Sequence, residues 1–229
     1  MTIGILVFDD MTQLDATGPY EVLARIPNAQ VLLVAPRRRV IRAAYGFSLV
    51  PHVAIPRCPP LDVICIPGGS GVDRLLLDEE VIAFVRRQAR TARYVTSVCT
   101  GSLLLAAAGL LRGRRAACHW LSLPLLAAFG AKPSPRRIEK DGKYITAGGI
   151  TAGIDFGLWL AAKLAGTKVA KEIQLMMQYD PKPPFRAGTP RQAGKAVTAR
   201  VLRQRSAAQA ERAFLVVQAA QRHGGTKSA

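Results

Sequence analysis

The chain lacks a long apolar run. Its longest apolar stretches, such as residues 103–111, fall far short of the roughly 18 to 20 residues that a helix needs to cross a bilayer, so no membrane span is expected. It also lacks the basic start, apolar stretch and small-residue cleavage site of a secretory leader, and residues 3–8 are expected instead to form a first strand. Both absences predict a cytoplasmic protein.

Cysteine is scarce as well. The four cysteines stand at positions 58, 65, 99 and 118, and none of them has the close paired spacing that holds zinc. A chain of 229 residues, of which 49% are apolar, can bury a core without disulfide bonds. We therefore expect four reduced thiols and no metal site.

Acidic residues are few. The chain has 15 Asp and Glu residues and 32 Lys and Arg residues, which gives a formal net charge of +17. An excess of this size can attract nucleic acid or another anionic surface. The basic residues, however, are spread over short clusters and the tail after Arg191, without a zinc finger, a helix-turn-helix or an aromatic-rich RNA-binding motif. The pattern predicts a generally basic surface, and nucleic acid is not expected as a partner.

Short apolar runs alternate with helical patterns, which predicts an α/β fold with a doubly wound, mostly parallel sheet and helices on both faces. Strands are expected at 3–8, 30–35, 63–67 and 94–98, and near 116–118 and 144–146. Helices are expected at 19–25, 78–92, 100–111, 154–165, 168–178 and 196–221. The proline-rich segment 180–185 should be extended. We expect residues 1–190 to form a catalytic domain that contains this segment, and residues 191–229 to form a basic helical extension.

Cys99 stands between an apolar strand and a helix with a small first turn, in the sequence Val98-Cys99-Thr100-Gly101. This order is typical of a nucleophile elbow, where a tight turn presents a side chain at the carboxyl edge of the sheet and a glycine lets strand and helix approach closely. Because a helix amino terminus favours negative charge, the pKa of the Cys99 thiol is expected to lie below that of a free thiol. The alternative is a buried cysteine that merely ends a strand.

Asp15 and Thr17 follow the first strand. The loops after the strands of a doubly wound sheet open on one edge, so Asp15 can approach Cys99. Either Asp15 or Thr17 could instead cap the helix that is expected to begin at Pro19. Spacing alone slightly favours the cap.

Two glycine turns are expected at the same edge of the sheet. Gly68 and Gly69 follow one strand, and Gly148 and Gly149 precede Ile150 near a helix start. Bare backbone amides in such turns can stabilise a developing negative charge, as in an oxyanion hole. A phosphate-binding loop is a weaker interpretation, because the residues of a P-loop and the spacing of a dinucleotide fingerprint are both missing.

His119 is the candidate general base, because cysteine hydrolases usually pair a thiol with an imidazole. A single histidine at a strand end is more often structural. Both roles stay open for His119 on sequence grounds.

Taken together, these segments resemble the ThiJ/PfpI superfamily, which is related to class I glutamine amidotransferases. The resemblance lies in residues 14–19, 62–69, 98–101, 119–120 and 148–155, and it extends to about residue 190. Within the superfamily the likeness is closest to bacterial enzymes that hydrate isocyanides. The resemblance implies a flavodoxin-like fold, a homodimer and no cofactor.

The resemblance also implies a reaction, the hydration of R–NC to the N-substituted formamide. Cys99 would attack the terminal carbon as a thiolate, while Asp15 would first supply a proton and then orient the water that hydrolyses the thioimidate. The other residues implied to stabilise charge or bind the isocyanide substrate are Thr100, Gly69, Ile150, Thr17 and His119.

Other functions stay open. Superfamily members described as proteases or deglycases often have histidine directly after the cysteine, whereas Thr100 follows Cys99 here. This difference argues against a close thiol–imidazole dyad. The alternatives are a glyoxalase-like or deglycase-like enzyme, a redox sensor that uses Cys99, and a non-enzymatic regulator that binds a small ligand.

Overall fold

A seven-stranded sheet forms the centre of the fold in a computed structural model, which describes residues 1–224. In chain order the strands are β1 (Thr2–Leu6), β2 (Gln30–Ala35), β3 (Ile41–Arg42), β4 (Ser48–Leu49), β5 (Val53–Ala54), β6 (Val63–Ile66), β7 (Tyr94–Val98), β8 (Arg115–Ala116), β9 (Lys132–Pro133), β10 (Ile138–Asp141) and β11 (Tyr144–Ala147). The spatial order in the large sheet is β10-β11-β7-β6-β1-β2-β5, and every pair in it is parallel except β10 with β11. This topology confirms the predicted α/β fold class.

Helices cover both faces of this sheet. They are α1 (Gln13–Leu23), α2 (Val72–Leu75), α3 (Glu79–Thr91), α4 (Gly101–Ala107), α5 (Ala152–Ala165), α6 (Thr167–Met176) and α7 (Pro190–Gly224), with short 3-10 helices at Ala44–Gly46, Ile55–Arg57 and Leu123–Phe129. Helices α1, α5 and α6 pack together, and a second group contains α2, α3, α4 and α7. No helix among residues 1–224 combines the length and the apolar character that a membrane crossing requires.

The central strands are buried along nearly their whole length. β6 is buried at all four positions, and β1 and β7 are buried at every position except the first. Strands that are covered on both faces are apolar throughout, which is why these short runs were recognisable in the sequence. The bounds of β2 and β7 agree with the predicted strands. The strand expected near 116–118 is different, because β8 pairs with β9 outside the large sheet.

The predicted start of the first helix is wrong. α1 begins at Gln13, six positions before the expected Pro19, and Thr12 occupies the N-cap position without a side-chain hydrogen bond. Proline usually marks the first turn of a helix, whereas Pro19 lies inside α1 and leaves the carbonyl of Asp15 without its helical donor. Neither Asp15 nor Thr17 therefore acts as the cap.

The last helix is longer than expected and folds back on the domain. α7 begins at Pro190, bends at Gly194, where φ is 79°, and packs against α4, α2 and the 3-10 helix Leu123–Phe129. Val216 and Ala219 are fully buried in this contact. Residues 225–229 of the expected extension lie outside the described residues.

Candidate active site

Cys99 occupies the sharp turn between β7 and α4, as the sequence predicts. Its φ of 58° lies in the left-handed region, which residues other than glycine seldom adopt. The amide of Cys99 donates to the carbonyls of Ala147 and Gly148, at 3.0 and 2.8 Å, and so ties the turn to the end of β11. Backbone strain that is held in place in this way is common where a protein positions a reactive group.

Two glycines allow the turn to sit against the neighbouring strand. A Cβ atom at Gly101 would lie 2.0 Å from the carbonyl oxygen of Ile66, and one at Gly68 would lie 2.5 Å from the amide nitrogen of Thr100. Both distances are too short for any side chain. The predicted role of Gly101, close approach of strand and helix, is confirmed, and Gly68 is required for the same reason.

Asp15 lies in the first turn of α1 and is fully buried. Its Oδ2 accepts a 2.9 Å hydrogen bond from the amide of Gly68, while Oδ1 has no hydrogen-bond partner within residues 1–224. Burial raises the pKa of Asp15 from 3.8 to about 7, and the Gly68 amide and the neighbouring Cys99 side chain oppose this rise. The carboxyl can therefore exchange a proton near neutral pH.

The expected acidity of Cys99 is not found. Burial raises the pKa of its thiol well above 9.0, and the Asp15 carboxylate and Cys118 raise it further, whereas the Thr100 amide lowers it. α4 has only seven residues, so its dipole is small beside the cost of placing a thiolate in a closed site. With Asp15 ionised, the thiol keeps the proton that the two groups share.

Thr100 holds the glycine loop, which contains Gly68 and Gly69, beside Cys99. Its Oγ1 accepts a 2.9 Å hydrogen bond from the amide of Gly69 and donates to the carbonyl of the same residue at 3.1 Å. The Gly69 amide is thus already engaged, and the amide of Thr100 is the one that acts on the Cys99 sulfur. The side chain of Thr100 has a positioning role that its place in the sequence did not reveal.

A cavity of about 200 Å³ opens beside Cys99. Four of the other residues named from the sequence line it, namely Thr100, Gly69, Ile150 and His119. Asp15 and Thr17 are not among the lining residues. Asp15 is fully buried, and the hydroxyl of Thr17 points along α1 and donates to the side chain of Gln13 at 2.8 Å.

His119 faces the cavity without being paired to the thiol. Its Nδ1 accepts a long hydrogen bond, 3.4 Å, from the amide of Leu121. Burial lowers the pKa of His119, and the cations of Arg212 and Arg205 lower it further. The imidazole is therefore neutral at pH 7, and no hydrogen bond joins it to Cys99 within the described part of the chain.

Sequence reasoning missed the contribution of α7, which supplies one wall of the cavity through Arg205, Ala208, Gln209 and Arg212. Arg212 binds Asp73 Oδ1 at 2.6 Å, Ser122 Oγ at 3.1 Å and the Gly69 carbonyl at 3.4 Å. Only 9% of the side chain is exposed. The one available signal was an arginine on the apolar face of the predicted helix 196–221.

The described part of the chain contains no cluster of metal-binding side chains. Among residues 1–224, no group of three or more His, Cys, Asp or Glu side chains is placed to hold an ion. The four cysteines are free thiols. The chemistry available at this site is that of a thiol, a carboxyl and backbone amides.

The fold, the cysteine turn and the buried carboxyl define a class of protein. Residues 1–163 match the model of the DJ-1/PfpI family, and the chain belongs to that family. It is similar to isonitrile hydratase from Pseudomonas putida, with 51% identity over 197 residues that cover 86% of each chain.

Two further relatives extend the comparison. A ThiJ/PfpI family protein from Pseudomonas syringae has a crystal structure that matches with a TM-score of 0.91 and 37% identity, over 94% of this chain and 90% of that one. The transcriptional regulator GbdR from Pseudomonas aeruginosa is 29% identical over 187 residues, which cover 78% of this chain and 51% of the regulator. The predicted superfamily is confirmed.

Proposed function

We propose that this protein is an isocyanide hydratase, a hydro-lyase that converts R–NC and water to the N-substituted formamide with Cys99 as the nucleophile. The similarity to the Pseudomonas putida enzyme supports the activity. The observation that carries the chemistry is the coupled pair of Asp15 and Cys99, in which a buried carboxyl and a buried thiol each perturb the pKa of the other.

The first step forms a bond between the Cys99 sulfur and the terminal carbon of the isocyanide. The thiol proton passes to the Asp15 carboxylate as the sulfur attacks, so the thiolate exists only while the bond forms. Asp15 then delivers this proton to the same carbon, which gives the thioimidate R–N=CH–S–Cys99. A carboxyl with a pKa of about 7 suits this exchange, because it can both accept and donate a proton near neutral pH.

The second step hydrolyses the thioimidate. Asp15, again a carboxylate, takes a proton from water as the oxygen adds to the carbon, and this proton is passed to the nitrogen. The C–S bond then breaks, which releases R–NH–CHO, and the hydroxyl proton returns to the Cys99 sulfur. Thr100 and Ile150 line the cavity, and their amides are proposed to stabilise the charge that develops.

The environment of His119 disfavours an ion pair between the Cys99 thiolate and an imidazolium. Its pKa is lowered by burial and by two arginines, and no hydrogen bond connects it to Cys99 among residues 1–224. We assign it to the wall that binds the R group of the substrate. Glyoxal-type substrates, which favour a positioned imidazole, are expected to react far more slowly.

The proposal also covers the cellular location, oligomeric state and domain division of the enzyme. We propose a cytoplasmic homodimer without a cofactor, in which residues 1–190 form the catalytic domain and residues 191–229 form a basic extension. The family resemblance supports the dimer, and the free cysteines support a reducing compartment. Sedimentation of the purified protein measures the oligomeric state directly.

The activity is tested by incubating the protein with an aryl isocyanide and measuring formamide. We expect formamide from the wild type and from Cys58→Ser, which removes a cysteine of intermediate burial outside the cavity, and none from Cys99→Ser. Methylglyoxal serves as the competing substrate. Lactate from methylglyoxal without Cys99-dependent formamide would reassign the protein to a glyoxalase-like activity.

A further inference from the structure

Two cationic side chains line the cavity beside Cys99. Arg205 and Arg212 both line it, and no Asp or Glu side chain does. Their charges reach the interior, because both cations lower the pKa of His119. A site built only for small, uncharged isocyanides has no use for an unpaired guanidinium group, since apolar walls and a few polar groups are enough to bind such ligands.

The two arginines have different surroundings. Arg212 is almost fully buried and its charge is matched by Asp73, whose side chain is 16% exposed. Arg205, which also lines the cavity, has no hydrogen-bond or ion-pair partner within residues 1–224. Arg212 therefore fastens α7 to the glycine loop, and Arg205 is left as a cation open to a ligand.

We propose, on the basis of the proposed hydratase function, that the natural substrates are small isocyanides with a carboxylate substituent, which Arg205 binds while the isocyanide carbon lies at Cys99. The planar guanidinium matches the two oxygens of a carboxylate. A volume of about 200 Å³ restricts the substrate to a small molecule. Arg205 is thus a specificity-determining residue, and it takes no part in the bond-making steps.

The test compares isocyanoacetate with methyl isocyanoacetate, two substrates that differ mainly in charge. The measured quantity is the ratio of kcat/KM for the acid to kcat/KM for the ester. An exposed ion pair contributes up to about 1 kcal/mol, so Arg205→Ala should lower this ratio about threefold to fivefold. Arg205→Glu should lower it about tenfold or more, because repulsion replaces attraction.

Arg203→Ala is the matched control, since Arg203 is an exposed arginine on the same helix that does not line the cavity. It should leave the ratio unchanged. The effect of Arg205→Ala on the acid should appear mainly in KM, as expected for binding that is equal in ground state and transition state. Added salt should lower the wild-type ratio toward that of Arg205→Ala.

Two failures have different meanings. Turnover of the ester with an acid-to-ester ratio that is the same in the wild type, Arg205→Ala and Arg205→Glu would overturn the role of Arg205 and leave the hydratase proposal intact. No Cys99-dependent formamide from either compound, or from an aryl isocyanide, would overturn the hydratase proposal and this inference with it.

Discussion

Replacing Asp15 with asparagine should separate stability from activity. The pKa of Asp15 is about 7 in the folded protein and 3.8 in its ordinary environment. Between these values the folded state binds more protons than the unfolded state, so the contribution of Asp15 to stability falls as pH rises from about 4 to about 7. At about 1.4 kcal/mol per pKa unit, the total is about 4 kcal/mol, of which up to about 3 kcal/mol falls between pH 5 and pH 8.

Asparagine removes the ionisation and keeps the shape. Its carbonyl can still accept from the Gly68 amide, as Oδ2 of Asp15 does at 2.9 Å. Its NH₂ group is left buried, which costs about 1 to 3 kcal/mol, and this cost does not depend on pH. The change in stability between pH 5 and pH 8 therefore isolates the ionisation.

The assay is urea unfolding of the wild type and Asp15→Asn at pH 5 and pH 8, with the exposed Asp62→Asn as control. From pH 5 to pH 8 the free energy of unfolding should fall by up to about 3 kcal/mol more in the wild type than in Asp15→Asn, because the other carboxyls titrate alike in both proteins. Turnover of the variant should fall at least about 100-fold, as is usual for an acid–base residue. Equal pH dependence of stability would refute the raised pKa, and a near-normal rate would refute the catalytic role.

Three further predictions follow from the same geometry. The value of kcat/KM should rise with pH through about 7, because below it Asp15 and Cys99 are both protonated and no base accepts the thiol proton; a rate that falls from pH 6 to pH 8 would contradict this. Gly101→Ala should lower the free energy of unfolding in urea by at least about 2 kcal/mol, because its Cβ would clash with the Ile66 carbonyl. Gly188→Ala is the control and should unfold as the wild type does, because its Cβ would meet only Gln192, at 3.9 Å. Mild peroxide should oxidise Cys99 before Cys65 and Cys118, because Cys99 lines the cavity and the other two are buried away from it; mass spectrometry that finds Cys65 or Cys118 modified before Cys99 would contradict this.

The sequence was most informative where local pattern decides structure. β2, β7 and the turn at Cys99 were predictable, because buried parallel strands are continuous apolar runs and a glycine marks the close approach. The start of α1 was not, since Pro19 lies inside a helix that its neighbours hold in place. Packing against α5 outweighs the single hydrogen bond lost at Asp15.

The chemistry of the site depended on tertiary structure. Local sequence predicted an acidified Cys99 from its place before a helix, whereas desolvation by distant segments dominates and raises the pKa of the thiol. Burial of Asp15 likewise comes from the Gly68 loop, 53 positions away. Which elements close over a residue is long-range information, and a single sequence carries little of it.

Ion pairs between α7 and the rest of the domain explain part of the positive charge of the tail. Arg212 joins Asp73, and Arg222 joins Glu79 at 2.9 Å, so part of the excess charge anchors α7 to the domain. Arg200 and Arg203 remain exposed on the same helix, and such charges bind any polyanion weakly in low salt. Weak duplex binding that disappears at physiological ionic strength would therefore reflect net charge alone. A role in DNA recognition requires a sequence-specific footprint, and the helix that carries these residues is committed instead to one wall of the cavity beside Cys99.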